Sequence, residues 1–204
     1  LLPGSRVSEV KRLSRPFLEA AVLLQRQLPD LRVAVPLVNR RVHELFAQQL
    51  LQWAPGLDCL LLEKQAELAI EAADVVLTAS GTATLQTLLY KKPMVVGYRV
   101  NALSYRLVKL LRSIKVDYIA MANLLAGEEL APEFLQQRCT AANISPALLR
   151  FVREPRRVEQ IRRRYRDIHK QLRRDAAERA ASAVLQLLAH DGAGEQARAT
   201  QPRA

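Results

Sequence analysis

The stretch Ala79-Ser80-Gly81-Thr82-Ala83-Thr84-Leu85-Gln86 decides how this sequence folds. An apolar run over residues 74–78 precedes it, and leucines at helical spacing follow it. The pattern predicts a strand that enters a helix through a turn of small residues. The first N–H groups of such a helix lack partners within the helix, and the aligned peptide dipoles add partial positive charge there. Ser80-Gly81-Thr82 is therefore a candidate anion site.

A second turn of the same kind opens the chain, in Leu1-Leu2-Pro3-Gly4-Ser5-Arg6. The first two residues are typical of the end of a strand whose start is missing. Ser5 is the predicted N-cap of a helix with Glu9 in its first turn. As a phosphate site, Gly4 permits close approach, Ser5 binds oxygens and Arg6 neutralises charge. The alternative, here and at the first stretch, is a plain strand-to-helix turn whose polar side chains are solvated.

Strand and helix patterns alternate six times along the chain as far as Gly127. The predicted strands are residues 1–2, 31–37, 59–62, 74–78, 93–98 and 116–119. Alternation of this kind, with apolar strands, indicates an α/β fold with a parallel sheet covered by helices on both faces. Ligands of such sheets bind beyond the carboxyl ends of the strands. Both turns and Asn123 are expected at that edge, and a nucleotide diphosphate is the expected ligand.

Local signals refine this outline. Pro16 is predicted to kink the first helix or restart it with Ser14 as a new N-cap, and Asn39 is the predicted N-cap of the second helix. After Gly127 only helices are predicted, one of them from Pro155. The predicted division is a nucleotide-binding lobe over residues 1–128, a helical segment over 129–190, whose last helix runs from about 176 to 189, and a disordered tail over 191–204.

The 204 residues carry a formal net charge of +11, and residues 150–179 hold twelve Lys/Arg against five Asp/Glu. Such a surface attracts the phosphates of nucleic acid, anionic lipid or a charged substrate. Aromatic residues make up only 5% of the chain and do not alternate with the basic ones, so no nucleic-acid partner is expected. No apolar run reaches about 18 residues, so no membrane-spanning helix is expected. Cys59 and Cys139 are expected to be reduced thiols of a cytoplasmic protein, and no metal site is predicted.

Three further patterns leave alternatives open. Gln86 lies one helical turn after Thr82, where its amide can reach ribose hydroxyls or simply face solvent. Asn123 is either a ligand contact or an asparagine that favours a turn. The predicted helix over residues 102–114 has basic residues beside its apolar stripe, which fits an interfacial membrane helix or, as we favour, a helix that covers the sheet.

Five ordered motifs add a resemblance to this outline. They are Leu1-Leu2-Pro3-Gly4-Ser5-Arg6 with Glu9-Val10, Pro36-Leu37-Val38-Asn39, Ala79-Ser80-Gly81-Thr82-Ala83, Pro93-Met94-Val95-Val96-Gly97-Tyr98-Arg99 and Asn123-Leu124-Leu125-Ala126-Gly127. Together they closely resemble the C-terminal half of the lipid-A-disaccharide synthases, from residue 1 to about residue 188.

That resemblance implies the UDP-binding lobe of an inverting glycosyltransferase with two Rossmann-like lobes. The family transfers 2,3-diacylglucosamine from UDP-2,3-diacylglucosamine to 2,3-diacylglucosamine 1-phosphate, needs no metal or other cofactor, and works as a peripheral enzyme on the cytoplasmic face of the inner membrane. UDP and the lipid A disaccharide 1-phosphate are the products. The resemblance places Arg6 at the family's essential arginine, Gln86 at its ribose-binding glutamate and Asn123 at its nucleotide-site asparagine.

The sequence departs from the family at several points. Gln86 replaces the usual glutamate, Lys64 stands where glycine is common, and Ala122 stands where proline is common. The lobe with the acceptor groove and the general base is missing, so this chain alone is expected to bind UDP weakly and to transfer nothing. Since the family's C-terminal helices cross to the other lobe or are exchanged between subunits, a homodimer is possible and the 155–172 helix is expected to lack its partner surface.

Two other interpretations remain open. One is another UDP-sugar enzyme of the same fold, such as a UDP-N-acetylglucosamine 2-epimerase. The other is a non-catalytic basic module that docks on an anionic membrane or on RNA.

Overall fold

The computed structural model describes residues 1–100, 117–173, 181, 182, 184 and 185. Its helices and strands in chain order are α1 (Val7–Gln25), β1 (Val33–Leu37), α2 (Arg40–Trp53), β2 (Cys59–Glu63), α3 (Ala66–Ala72), β3 (Val76–Ala79), α4 (Thr82–Leu89), β4 (Met94–Tyr98), α5 (Met121–Ala126), β5 (Glu133–Leu135), a 3-10 helix (Gln136–Arg138), α6 (Ala141–Arg153) and α7 (Pro155–Leu172). The chain forms two compact units, Leu1–Ile168 and His169–Ala204. In the second unit, the described residues are the end of α7, Arg173 and the helical residues 181, 182, 184 and 185.

The strands of the first unit are parallel. β1 pairs with β2, and β3, β4 and β5 form a second group in that order. Leu2 makes a parallel bridge to Thr78, and the N-terminal amine of Leu1 donates to the carbonyl of Ala34 at 2.7 Å. The spatial order is therefore β2, β1, the first two residues, β3, β4 and β5. This order is that of a Rossmann-like sheet, and it confirms the predicted α/β fold.

Helix α1 supplies residues to both hydrophobic clusters of the unit, one containing Leu13 and Phe17 and the other containing Val10 and Leu18. It runs through Pro16 without interruption. The predicted restart with Ser14 as N-cap is wrong, because the buried Ser14 hydroxyl donates back to the carbonyl of Val10 at 2.7 Å. A proline removes one helical hydrogen bond, and the packing of the side chains around it keeps this helix intact.

The start of α2 follows its sequence signal. Asn39 is its N-cap, and the Asn39 side chain accepts a hydrogen bond from the N–H of Val42 at 3.0 Å. This confirms the predicted cap and fixes where the chain turns after β1.

The last strand lies where only helices were predicted. Residues 117–119 form no strand, and β5 takes the edge of the sheet, with Glu133 opposite Val96 and Leu135 opposite Tyr98. The expectation of only helices after Gly127 is therefore wrong. A strand of three residues is too short to show the alternation that identifies strands in a sequence.

The predicted apolar face of helix α7 comprises Val158, Ile161, Tyr165, Ile168 and Leu172; the first four are buried in the larger hydrophobic cluster of the first unit, whereas Leu172 is exposed. The expectation that this face lacks a partner surface is wrong. The predicted 102–114 helix, most of the predicted 176–189 helix and the 191–204 tail lie outside the described residues. None of the helices in the described part of the chain has the length and apolar character needed to cross a membrane.

Candidate functional site

Two strand-to-helix turns meet at the carboxyl edge of the sheet. The N–H of Leu2 donates to the carbonyl of Leu77, and the N–H of Ala79 donates to the carbonyl of Leu2, both at 2.8 Å. This pairing sets Leu2 beside the end of β3, so Gly4-Ser5-Arg6 and Ser80-Gly81-Thr82 follow adjacent positions of the sheet. The strand order reverses between them, and this is the place where open α/β sheets bind ligands.

In the first turn, a side chain of the helix that follows takes the N–H groups of Ser5 and Arg6, whereas those of Val7 and Ser8 have no partner among the described residues. The N-cap of α1 is Arg6, so the prediction that Ser5 caps this helix is wrong. The Glu9 Oε2 atom accepts hydrogen bonds from the N–H of Ser5 at 3.0 Å and from the N–H of Arg6 at 3.2 Å. A carboxylate accepts hydrogen bonds more strongly than a neutral hydroxyl does. Here it fixes the two residues just ahead of the helix, as the glutamate of a capping box does.

Gly4 is required both by its backbone and by its surroundings. Its φ of +113° lies in a region that residues with a Cβ rarely adopt. A Cβ added there would lie 2.6 Å from both the Cβ and the Oε2 atoms of Glu9. The close approach of Glu9 to the turn therefore depends on glycine at this position.

The Arg6 side chain extends from this turn into solvent. It is 80% exposed, and its Nη1 lies 3.3 Å from Glu9 Oε1. An exposed ion pair of this kind adds little stability. Most of the guanidinium N–H groups of Arg6 remain open to solvent.

The second turn leaves its N–H groups free. Gly81 is the N-cap of α4 with a φ of +135°, and a Cβ added there would meet nothing within 4 Å. The N–H groups of Thr82 and Ala83 have no partner in the described part of the chain. Gly81 and Thr82 are exposed. The geometry is that of a helix N-terminus open to an anion.

This second turn is held from behind by the loop that precedes α5. The Ser80 hydroxyl donates to the carbonyl of Ile119 at 3.1 Å. The buried Thr84 hydroxyl donates to the carbonyl of Gly81 at 2.7 Å and accepts from the N–H of Met121 at 3.2 Å. Ser80 thus contributes to the shape of the turn through its side chain.

The loop is in turn fixed by Glu133 of β5. One Glu133 carboxylate oxygen accepts from the N–H of Ile119 and the other from the N–H of Ala120, each at 2.9 Å. Sequence patterns missed Glu133, because a carboxylate 14 residues from its partner leaves no local signal. Thr84 was missed as a site-building residue although it lies within the stretch that decides the fold.

Asn123 is completely buried, and its side chain is fully bonded within the chain. Its Nδ2 donates to the carbonyl of Ala131 at 2.7 Å and to Glu133 Oε1 at 2.8 Å. Its Oδ1 accepts from the N–H groups of Leu130 and Ala131 at 2.9 and 2.8 Å. An asparagine side chain has two donors and two acceptor positions. All four are used, so a direct contact with a ligand would require this network to break.

Gln86 lies on α4 with its side chain exposed, one helical turn beyond the open N-terminus. Lys64, just after β2, has a left-handed backbone with a φ of +54°, and its N–H donates to the carbonyl of Leu37 at 3.0 Å. This conformation agrees with the glycine that the family commonly has at the position.

Neither cysteine has the properties of a nucleophile. Burial raises the pKa of the Cys59 thiol to about 11. Burial also raises the pKa of the Cys139 thiol, against the opposing effect of Arg99. Both thiols are therefore protonated at neutral pH, and thiol protonation removes the reactive thiolate.

Comparison with known proteins matches most of the chain to one family. The family model described as lipid-A-disaccharide synthetase matches residues 1–187. Lipid-A-disaccharide synthases of Xylella fastidiosa strain M12 and of Xanthomonas campestris pv. campestris strain 8004 are each 48% identical to this chain over 189 residues, which is 92% of the chain. That of Pseudoalteromonas translucida is 47% identical over 188 residues, again 92% of the chain. The matched region covers 49%, 43% and 48% of these relatives, so the chain spans about half their length.

A solved structure, the glycotransferase of kitacinnamycin, is similar over 75% of this chain and 36% of its own, with a TM-score of 0.43 and 23% identity. A likeness this distant carries no conclusion about the site.

Proposed function

Because this chain belongs to the lipid-A-disaccharide synthetase family, we propose that it provides the UDP-binding half of a glycosyltransferase of lipid A biosynthesis. The donor is UDP-2,3-diacylglucosamine, the acceptor is 2,3-diacylglucosamine 1-phosphate, and the products are UDP and the lipid A disaccharide 1-phosphate. The observation that carries this proposal is the pair of turns at the point where the strand order reverses, one bearing the exposed Arg6 and the other an open helix N-terminus.

The two turns have different tasks in this proposal. Breaking the bond between the donor sugar and UDP leaves negative charge on the diphosphate. The free N–H groups of Thr82 and Ala83 and the guanidinium of Arg6 stabilise that charge as it develops, which lowers the barrier to transfer. Gly81 has open space beside it and allows the phosphate to approach the backbone.

The remaining site residues act on the nucleoside or on the turns. Gln86 hydrogen-bonds ribose hydroxyls from α4, without the charge-assisted strength that a glutamate would bring. Gly4 and Ser5 shape the turn that carries Arg6. Asn123, whose side chain is fully bonded within the chain, contributes by holding the loop behind Ser80. The general base that activates the acceptor is proposed to lie in a second lobe, and the reaction needs no metal or other cofactor.

Titration of this chain with UDP tests the proposal. We expect weak but saturable UDP binding with a clear preference over ADP, and no sugar transfer by this chain alone. Arg6→Ala is expected to weaken UDP binding about tenfold, since it removes a charged partner of the diphosphate. The matched control is Arg40→Ala, which removes a 90% exposed arginine paired with Glu44 on α2 and is expected to leave UDP binding unchanged. Equal binding of UDP and ADP, or none of either, would contradict the proposal.

A second part of the proposal concerns the membrane. Arginines on the exposed side of α7 are only partly paired with acids: Arg163 and Arg166 share Glu159, whereas Arg156 is exposed without an ion pair among the described residues. We propose that this basic side meets the anionic inner-membrane surface on the cytoplasmic face, and that C-terminal helices contribute to a homodimer. Binding to vesicles that contain anionic phospholipid, lost in high salt, is the expected result. Salt-sensitive binding of RNA without any UDP binding would instead favour the docking module.

A further inference from the structure

The Glu9 carboxylate sits where a phosphate would have to bind if it used the N–H groups of Ser5 and Arg6. Its Oε2 accepts hydrogen bonds from both of these groups, whereas the N–H groups of Val7 and Ser8, the first two residues of α1, have no partner among the described residues. The Glu9 side chain is 29% exposed, so the contact is partly shielded from water. A ligand oxygen on the same N–H groups would need the carboxylate to leave and would meet a like charge beside it.

The same carboxylate also contacts the Arg6 guanidinium. Glu9 Oε1 lies 3.3 Å from Arg6 Nη1, and this is the ion pair that Arg6 makes among the described residues. An arginine side chain that is 80% exposed has many rotamers, and ordering it upon ligand binding costs entropy. A partner that already restricts the guanidinium reduces that cost, and the planar fork keeps further N–H groups for a second anion.

The second turn has neither restriction. No carboxylate caps the N–H groups of Thr82 and Ala83 among the described residues, and the space beside Gly81 is empty, whereas that beside Gly4 is filled by Glu9. The two turns therefore differ in the N–H groups that precede the helix and in the space beside the glycine, while each helix keeps the N–H groups of its first two residues free among the described residues.

We infer that Glu9 is a positioning residue for the UDP site: it keeps phosphate away from the N–H groups of Ser5 and Arg6 and restrains the Arg6 guanidinium that meets the diphosphate. This inference rests on the proposed function. It differs from the expectation that Ser5 itself binds phosphate oxygens in this turn.

The test uses this chain and the variants Glu9→Gln, Arg6→Ala and the double variant, each titrated with UDP and with uridine and followed by NMR. Glu9→Gln removes the charge that orients Arg6, so we expect UDP affinity to fall about tenfold, with uridine affinity changed less than twofold. In the Arg6→Ala background, Glu9→Gln is expected to change UDP affinity less than twofold, because Glu9 acts through Arg6.

The matched control is Glu19→Gln. Glu19 lies on the same helix and pairs with Arg15 at 2.8 Å, and its loss is expected to affect neither ligand. Should Glu9→Gln fail to fold, as judged by circular dichroism, Glu9→Asp replaces it. The shorter Asp keeps the charge at the helix N-terminus but cannot reach Arg6, and the same selective loss of UDP affinity is expected.

Tighter UDP binding by Glu9→Gln would overturn the inference, since Glu9 would then be a competitor that phosphate displaces. Parallel losses of UDP and uridine affinity, or additive effects of the two substitutions, would overturn it as well. Unchanged UDP binding would refute the role of Glu9 while leaving the UDP site in place. If the unsubstituted chain bound neither ligand, the proposed function itself would fail, and the inference with it.

Discussion

The two turns at the carboxyl edge of the sheet are similar in sequence and opposite in construction. Gly4-Ser5-Arg6 is stabilised locally, by a glutamate three and four residues away from the N–H groups it caps. Ser80-Gly81-Thr82 is stabilised from a distance, by a loop 37 to 39 residues further along the chain. The local arrangement occupies the N–H groups of Ser5 and Arg6 just ahead of its helix, whereas the remote one holds the turn in place through side chains behind it.

This difference shows that a glycine-containing turn before a helix does not by itself bind an anion. What matters is whether the protein already satisfies the free N–H groups. A turn held by its own capping carboxylate serves a site through the side chain that it presents and through the N–H groups of the first helical residues. A turn held through contacts behind it can present its backbone. Each substitution below removes one part of this contrast.

Asn123→Ala is expected to have the largest effect. It leaves the N–H and the carbonyl of Ala131 without a partner in the protein interior, and the N–H of Leu130 keeps only its bond to the carbonyl of Glu128. Unfolding by urea should show a loss of about 3–4 kcal/mol, and the loosened loop should also weaken UDP binding. Asn143→Ala is the control, because Asn143 makes one exposed hydrogen bond to the carbonyl of Arg138, and we expect it to cost less than about 1 kcal/mol. Similar losses for the two variants would show that the Asn123 network does not support the second turn.

Gly4→Ala is expected to be the next most destabilising change. The new Cβ would clash with Glu9 and force a strained backbone, so the free energy of unfolding should fall by about 2–3 kcal/mol. Gly81→Ala adds backbone strain without a clash, at a cost of about 1–2 kcal/mol. Gly56→Ala is the control for strain alone, since Gly56 has a φ of +87° and open space around it.

The effects on UDP binding should have the opposite order, with Gly81→Ala weakening it more than Gly4→Ala. We expect Gly81→Ala to weaken UDP binding about tenfold or more, because the methyl group occupies the approach to the open N–H groups. Gly56→Ala should leave UDP binding as it is. A Gly81→Ala variant with normal UDP affinity would mean that the second turn does not contact the diphosphate.

Whether a feature of the fold or of the site could be predicted from the sequence depends on how far apart in the chain the residues that form it lie. The Asn39 cap, β3 and the place of Leu2 beside it in the sheet were predicted correctly, because caps and apolar runs are local patterns. The sequence pattern identifies Glu9 only as an acidic residue of the first helical turn, although its spacing from Gly4 already indicates that its carboxylate can reach the turn. The contacts of Ser80 with Ile119 and of Asn123 with Glu133 could not be predicted, since no periodicity links residues that meet only after the sheet forms.

Thr84→Val tests the link between the second turn and the loop with a smaller expected effect. Valine keeps the shape of the buried side chain but loses the hydrogen bonds to Gly81 and Met121. We expect a loss of stability of about 1–2 kcal/mol and a measurable loss of UDP affinity. Thr87→Val is the matched control on the same helix, because the buried Thr87 hydroxyl bonds only to the carbonyl of Ala83. Thr87→Val should lose less stability than Thr84→Val and leave UDP binding unchanged. Equal effects of the two variants on UDP binding would show that the contact with the loop does not contribute to the function of the turn.

Gln86→Glu is expected to have the smallest effect and addresses the nucleoside side of the open turn. A carboxylate accepts hydrogen bonds from ribose hydroxyls more strongly than an amide does, and one helical turn of distance keeps it clear of the diphosphate held at Thr82 and Ala83. UDP affinity should rise about threefold, with the free energy of unfolding changed by less than about 0.5 kcal/mol. Gln48→Glu, at an exposed position of α2, controls for the added negative charge and should leave UDP affinity unchanged. If both variants weakened UDP binding equally, the added negative charge would explain the effect. If Gln86→Glu left the UDP affinity unchanged, Gln86 would not belong to the site. The open turn would then bind the diphosphate without a ribose contact from its own helix.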